Sequence, residues 1–187
     1  MAVRESAKPE TEAVWVDDFL AADCADWRGS NVGLLWYDHD AFGRRVADLA
    51  NVPFYGPGAK ASIEILAERG DRALVVSIRA HGTGKNLQQF SRQLVANPPS
   101  DGAIWEQLLG RTHRQGQIAD EVTVGIYRHT DEFRYALDKA RELSAYITGT
   151  MGGASKLLRA TYTFKVGAKS VPDVAWAAGP RYVESEP

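Results

Sequence analysis

Five short apolar runs alternate with segments of helical spacing, and this alternation most constrains what the 187-residue chain can fold into. The runs are 32–37 (VGLLWY), 52–55, 72–78 (RALVVSI), 93–96 and 122–127. Apolar runs closed by turn residues predict strands covered on both faces, the habit of a parallel sheet. Between them, apolar residues recur every three or four positions. Val16, Phe19, Leu20, Cys24 and Trp27 predict a helix over 13–28. Phe42, Val46 and Leu49 predict another over 40–50, capped by Asp38 or Asp40. Further helices are predicted over 60–69, 86–90, 103–110 and 131–148, the last with Phe133, Leu137, Ala140, Leu143 and Ile147 as its apolar stripe. Residues 154–165 fit either a helix or a strand. The order of elements predicts an α/β fold, a three-layer parallel sheet with helices on both faces. Strand-to-helix loops then gather at the carboxyl edge of the sheet, which directs attention to 37–40, 56–60, 78–86 and 97–117. Residues 1–12 are expected to be a disordered lead, 13–165 one domain and 166–187 a tail.

Composition narrows the classes of function. Twenty-two basic and 24 acidic side chains leave a net charge of −2, so no global basic field attracts nucleic acid, and any such contact must be local. One cysteine, Cys24, excludes an internal disulfide, and with four scattered histidines no metal site is expected. No apolar run approaches a membrane span and the first residues lack a signal core, which implies a cytoplasmic protein with no membrane contact. Trp15, Trp27, Trp36 and Trp105 fall on apolar faces and are expected in the core. Tyr55 and His81 are the rings placed by their loops where one could stack on a base.

Two segments concentrate chemistry. The first, Ser77-Ile-Arg-Ala-His-Gly-Thr-Gly-Lys-Asn-Leu-Gln88, leaves the most apolar strand. Its Gly82-Thr83-Gly84-Lys85 imitates a P-loop, G-x-x-x-x-G-K-[ST]. The first glycine of that pattern would fall on Arg79, and the Mg²⁺-binding hydroxyl on Asn86. No acidic box follows at the end of a later strand. The chain therefore lacks its own P-loop. The second segment, Gln107-Leu-Leu-Gly-Arg-Thr-His-Arg-Gln-Gly-Gln117, packs two arginines into the end of a helix. Arg111 and Arg114 are three apart, a spacing that puts both on one helical face. Paired guanidiniums repel unless an anion or a carboxylate lies between them. Phosphoryl transfer builds such an anion. A surface pair bridging acidic side chains is the bland alternative, and His113 in the same stretch reads as a packing or interface histidine.

Together the segments resemble motifs V and VI of Swi/Snf-type superfamily-two helicases. The residues that carry the resemblance are Ser77, Arg79, Ala80, Gly82, Gly84, Asn86 and Leu87, then Gln107, Arg111, His113, Arg114, Gly116 and Gln117. The likeness covers roughly 30–130, with 32–37 in the place of motif IV. It implies a RecA-like (P-loop NTPase-like) carboxyl-terminal lobe. By this resemblance Arg114 is the principal arginine finger, Arg111 its companion and Gln107 the residue that orients their helix. Gly84, Asn86 and Gln117 then face ATP. Ser77, Arg79, Gly82, Thr83 and Lys85 contact nucleic acid, with Gly56 and Lys60 as weaker candidates. His81 stands where the family often has a small residue.

Family enzymes carry two lobes in one chain, and the missing one brings the P-loop and DExx box. The resemblance thus implies ATP and Mg²⁺ held only through a partner lobe on another chain, with DNA as the nucleic acid. A natural split protein, of phage or bacterial source, is the expectation. An excised piece and a stand-alone nucleic-acid-binding or regulatory module without ATPase activity are the alternatives.

Overall fold

The computed structural model describes residues 13–163, so the expected disordered lead and the whole of the expected tail lie outside them. Five parallel strands form one sheet in the order β2-β3-β1-β4-β5. They are β1 Leu34–Tyr37, β2 Phe54–Tyr55, β3 Leu74–Ser77, β4 Arg92–Val95 and β5 Thr123–Ile126. Every residue of β1 and β3 is buried, because helices cover both faces. On one face Leu35, Tyr37, Val75 and Leu94 meet α1 (Phe19–Ser30) and α2 (Asp40–Ala50) through Ala21, Cys24, Val46 and Ala47. On the other, Leu34, Trp36, Leu74 and Val76 share a core with Trp105 and Leu108 of α5 (Gly102–Thr112), Leu137 of α6 (Asp131–Met151) and Leu157 of α7 (Lys156–Arg159). The three-layer α/β arrangement expected from the sequence is the one observed.

Several boundaries differ for local reasons. The first helix starts at Phe19, not at residue 13, because the Asp17 carboxylate accepts the Phe19 amide at 3.0 Å and starts the helix there. Val14 and Val16 are left almost fully exposed, and Trp15 is 44% exposed rather than in the core. Neither Asp38 nor Asp40 caps α2. His39 is the capping position and uses no side chain there, while Asp38 is held elsewhere. The helix expected over 60–69 is α3 (Ala59–Glu64) continued by a 3₁₀ turn, Ile65–Ala67.

After β3 the helical turn precedes the glycines instead of following them. Ser77 Oγ accepts the Ala80 amide at 3.3 Å and so caps α4 (Ile78–His81), whereas 86–90 holds only a turn. On α6 the inward residues are Leu137, Ala140 and Ser144; Leu143 and Ile147 of the expected stripe are 37% and 44% exposed. The 154–165 stretch contains the single turn α7. Its first amides and the capping Ser155 hydroxyl all donate to Glu106 of α5, at 2.5–3.0 Å.

Gly102 explains how α5 and α6 come together. A Cβ there would lie 2.8 Å from the Ala140 carbonyl and closer still to Ser144 Oγ. Only a glycine lets the two helices approach this near.

Candidate functional site

The strand order creates a crevice at the carboxyl edge. The chain leaving β1 turns to α2 on one face, while the chain leaving its neighbour β4 turns to α5 on the other. Loops that part in this way leave an opening, the usual ligand position of open α/β sheets. Here it is a groove of about 710 Å³, walled by Asp38 and His39 after β1, Arg79, Gly82 and Thr83 after β3, and the 97–101 loop after β4. Ile104 and Gln107 of α5 and Glu132 and Phe133 of α6 complete it.

Parallel pairing of Tyr37 with Ser77 sets the next residues of both strands side by side. Arg79 uses this to clasp Asp38 with two bonds, Nε to Oδ1 at 2.6 Å and a terminal nitrogen to Oδ2 at 3.0 Å. The guanidinium holds the Asp38 carboxyl below its usual range, and the carboxylate raises Arg79 further in return. The sequence marks Asp38 as a possible cap within the 37–40 loop, and no local pattern marks a partner 41 residues away.

Other expected nucleic-acid contacts are spread out. Thr83 is exposed at the groove. Ser77 is 3% exposed and its hydroxyl is occupied in capping α4. Lys85 extends the other way, its Nζ donating to the Ser62 carbonyl of α3 at 3.1 Å. Lys60 is exposed on α3, beside Glu64 at 3.7 Å. Gly56 is buried and its carbonyl accepts from His81 Nε2 at 2.9 Å. His81 is fully buried and Tyr55 is 7% exposed, so neither ring is placed to stack on a base. Burial also holds the His81 pKa below its ordinary value, with the nearby Lys85 charge adding to the effect. His81 thus ties the turn after β2 to the glycine segment, which explains a large side chain where a small one is common in the resembled motif.

Beyond Gln107 the second segment runs away from the groove, toward the amino edge of the sheet. A helix that follows a strand in a parallel sheet runs back against it, so α5 carries its carboxyl end to the amino edge. The hydrogen bonds agree: the Leu87 amide donates to the Arg111 carbonyl and Gln117 Nε2 to the Phe90 carbonyl, next to the start of β4. The expectation that 97–117 would lie wholly at the carboxyl edge therefore holds only for its first part. Gln107 faces the groove, one turn before Arg111.

Arg111 and Arg114 do not share a helical face either. α5 ends at Thr112, and His113 leaves the helix with φ −85° and ψ 81°. Arg111 is braced within the chain, donating from Nε to the Gln107 carbonyl at 2.8 Å and from a terminal nitrogen to the Lys85 carbonyl at 2.9 Å. Burial, and then the Arg114 cation, depress its pKa. The Arg114 side chain is exposed and makes no hydrogen bond or ion pair among the described residues. Gly84, at φ 70°, and Asn86 are exposed on the segment that Arg111 holds. Gln117 lies below them, also bonded to the Thr112 carbonyl at 3.1 Å. The structure thus gathers Gly84, Asn86, Arg111, Arg114 and Gln117 in one region and Arg79, Gly82, Thr83 and Gln107 in another. The segment 82–87 joins the two.

Among the described residues no group of histidine, cysteine and carboxylate side chains could hold a metal ion, and no helix is long and apolar enough to cross a membrane.

No family model matches the chain, and no curated protein matches it. Solved structures that it resembles include the C-terminal part of the Fun30 ATPase domain, at 20% identity and a TM-score of 0.46 over 62% of this chain and 39% of that one. T4 UvsW is similar at 16% identity and the same TM-score, over 71% of this chain and 32% of its own. The chain spans well under half the length of either.

Proposed function

We propose that this chain is the second lobe of an ATP-dependent DNA helicase or translocase, completed by a P-loop-bearing lobe on another chain. One observation carries the reading. Arg114 is an exposed cation with no hydrogen-bond or ion-pair partner among the described residues, standing just past Arg111, whose guanidinium is fixed by two carbonyl oxygens. Two cations held together without a counter-charge favour an anion from outside. A triphosphate with its Mg²⁺, held by the other lobe, supplies that anion and the bond to be broken.

In this reading Arg114 neutralises the charge that develops on the transferred phosphoryl group. Such a residue is worth roughly 10³–10⁵ in kcat. Arg111 keeps the end of α5 in register with the 82–87 segment, so that Gly84 and Asn86 stay beside it. Arg79 and Thr83 meet nucleic-acid phosphate at the groove. The residue pattern of motifs V and VI supports the same assignment of roles.

The test is reconstitution. The chain alone should show negligible ATP hydrolysis. A P-loop lobe should restore DNA-stimulated hydrolysis, and Arg114→Ala should then abolish it while leaving thermal unfolding unchanged. Rapid hydrolysis by the isolated chain would overturn the split site. Salt-dependent DNA binding that needs no second lobe, with no hydrolysis in its presence, would instead make the protein a stand-alone binding module.

A further inference from the structure

We propose that Asp38 sets how strongly the groove takes up nucleic-acid phosphate, by competing with that phosphate for Arg79. The inference rests on the reading of the groove as a nucleic-acid contact. Among the described residues that wall the groove, Arg79 is the one arginine or lysine, against the carboxylates Asp38, Asp101 and Glu132. Its side chain is 72% exposed and within reach of a ligand, yet both of its side-chain hydrogen bonds go to Asp38. The fork of a guanidinium fits a carboxylate and a phosphate equally well. A phosphate arriving at Arg79 therefore meets a site whose charge is already balanced. It must either displace Asp38 or lie beside it, well inside one Debye length of a like charge.

Two features make the competition reversible. The pair is solvent-exposed on the arginine side, and exposed pairs contribute little to stability. Asp38 directly follows the last residue of β1, while the Arg79 stem leaves the second position of a single helical turn. The arginine is the partner that can swing. Asp38 is a positioning residue in this scheme, acting on phosphate through Arg79.

The signature is electrostatic, which separates it from a merely structural role. Nucleic-acid affinity falls with salt in proportion to the phosphates neutralised, and a paired arginine adds little to that slope. Asp38→Asn keeps the shape and an acceptor but removes the charge. Binding of the full chain to a fluorescein-labelled DNA duplex, followed by anisotropy from about 50 to about 200 mM salt, reads both quantities. Asp38→Asn should bind about two- to fivefold tighter at the low end. Its plot of log K against log salt should steepen by about 0.7–0.9. Asp38→Glu, which retains the charge, should behave as wild type. In an Arg79→Ala background the asparagine should lose most of this gain and the steeper slope, keeping only the small relief of removing a like charge.

Equal affinity and slope for wild type and Asp38→Asn overturn the proposal, as does a gain that survives loss of Arg79 undiminished. If wild type binds and Asp38→Asn brings no gain, only this inference falls. If no variant binds the duplex, with or without a P-loop lobe, the reading of the groove falls and this inference with it.

Discussion

Gln93→Leu tests how the interior links the sheet to the arginine-bearing helix. Gln93 is 1% exposed in β4 and joins two elements through one amide. Its Oε1 accepts the Trp36 indole N–H of β1 at 2.7 Å, and its Nε2 donates to Thr112 Oγ1 of α5 at 2.5 Å. Trp36 and Thr112 are both fully buried. Leucine fills much the same volume but leaves an indole N–H and a hydroxyl without partners and without water. Each orphan costs about 1–3 kcal/mol, partly offset by the more apolar side chain, for a net loss of about 1–5 kcal/mol. That is a large share of the ~5–15 kcal/mol that holds a typical domain folded. In a domain of this size it corresponds to a melting temperature lower by roughly 3–15 °C.

Urea unfolding followed by circular dichroism gives the loss. A cycle with Trp36→Phe gives its cause. Phenylalanine removes the indole donor, so Gln93→Leu should cost markedly less in that background. Adding Thr112→Val should recover most of the remainder, because no polar partner is then left behind. An unchanged midpoint for Gln93→Leu, or a coupling below about 0.5 kcal/mol, would refute the network.

Gly102→Ala should destabilise by about 1–3 kcal/mol, because its methyl group meets α6 backbone that cannot give way; unfolding at wild-type urea concentration would show that the helices have room to part. Folding should also weaken on mild acidification. His81 is held neutral by burial, so its folded pKa lies below the ordinary 6.5. The unfolded chain then takes the proton first, and the His81 contribution is full above that value and drains as pH falls through it. Burial lowers His129 likewise, so it contributes in the same direction. His81→Gln keeps a donor for the Gly56 carbonyl and should flatten the slope of melting temperature against pH between about 5 and about 7. A slope of opposite sign in wild type, or an identical slope in the variant, contradicts this.

The sheet was legible because its strands are apolar on both sides, and residues 34–37 and 74–77 are buried throughout. What escaped was information that patterns do not carry. Hydrophobic spacing ran the first helix back through Val16, although the Asp17 carboxylate starts it at Phe19. The rule that strand-to-helix loops gather at the carboxyl edge was extended over all of 97–117, while the direction of α5 puts its end at the other edge. The braces on Arg111 are backbone oxygens of Gln107 and Lys85, and a carbonyl leaves no mark in a sequence. Asp38 and Arg79 meet because β1 and β3 are neighbours in space, and only the strand order reveals it.

The closeness at Gly102 has a mechanical consequence. α5 has 11 residues and α6 has 21, so at 1.5 Å per residue they are rods of about 16 and about 31 Å. Where they cross there is no slack, and Glu106 fastens α7 to the same rod. A tilt of about 10° about that crossing would sweep the far end of α5 by about 3 Å, the whole length of a hydrogen bond. The shorter rod cannot make that swing by itself. Whatever leans on α6 works a lever whose tip carries Arg111.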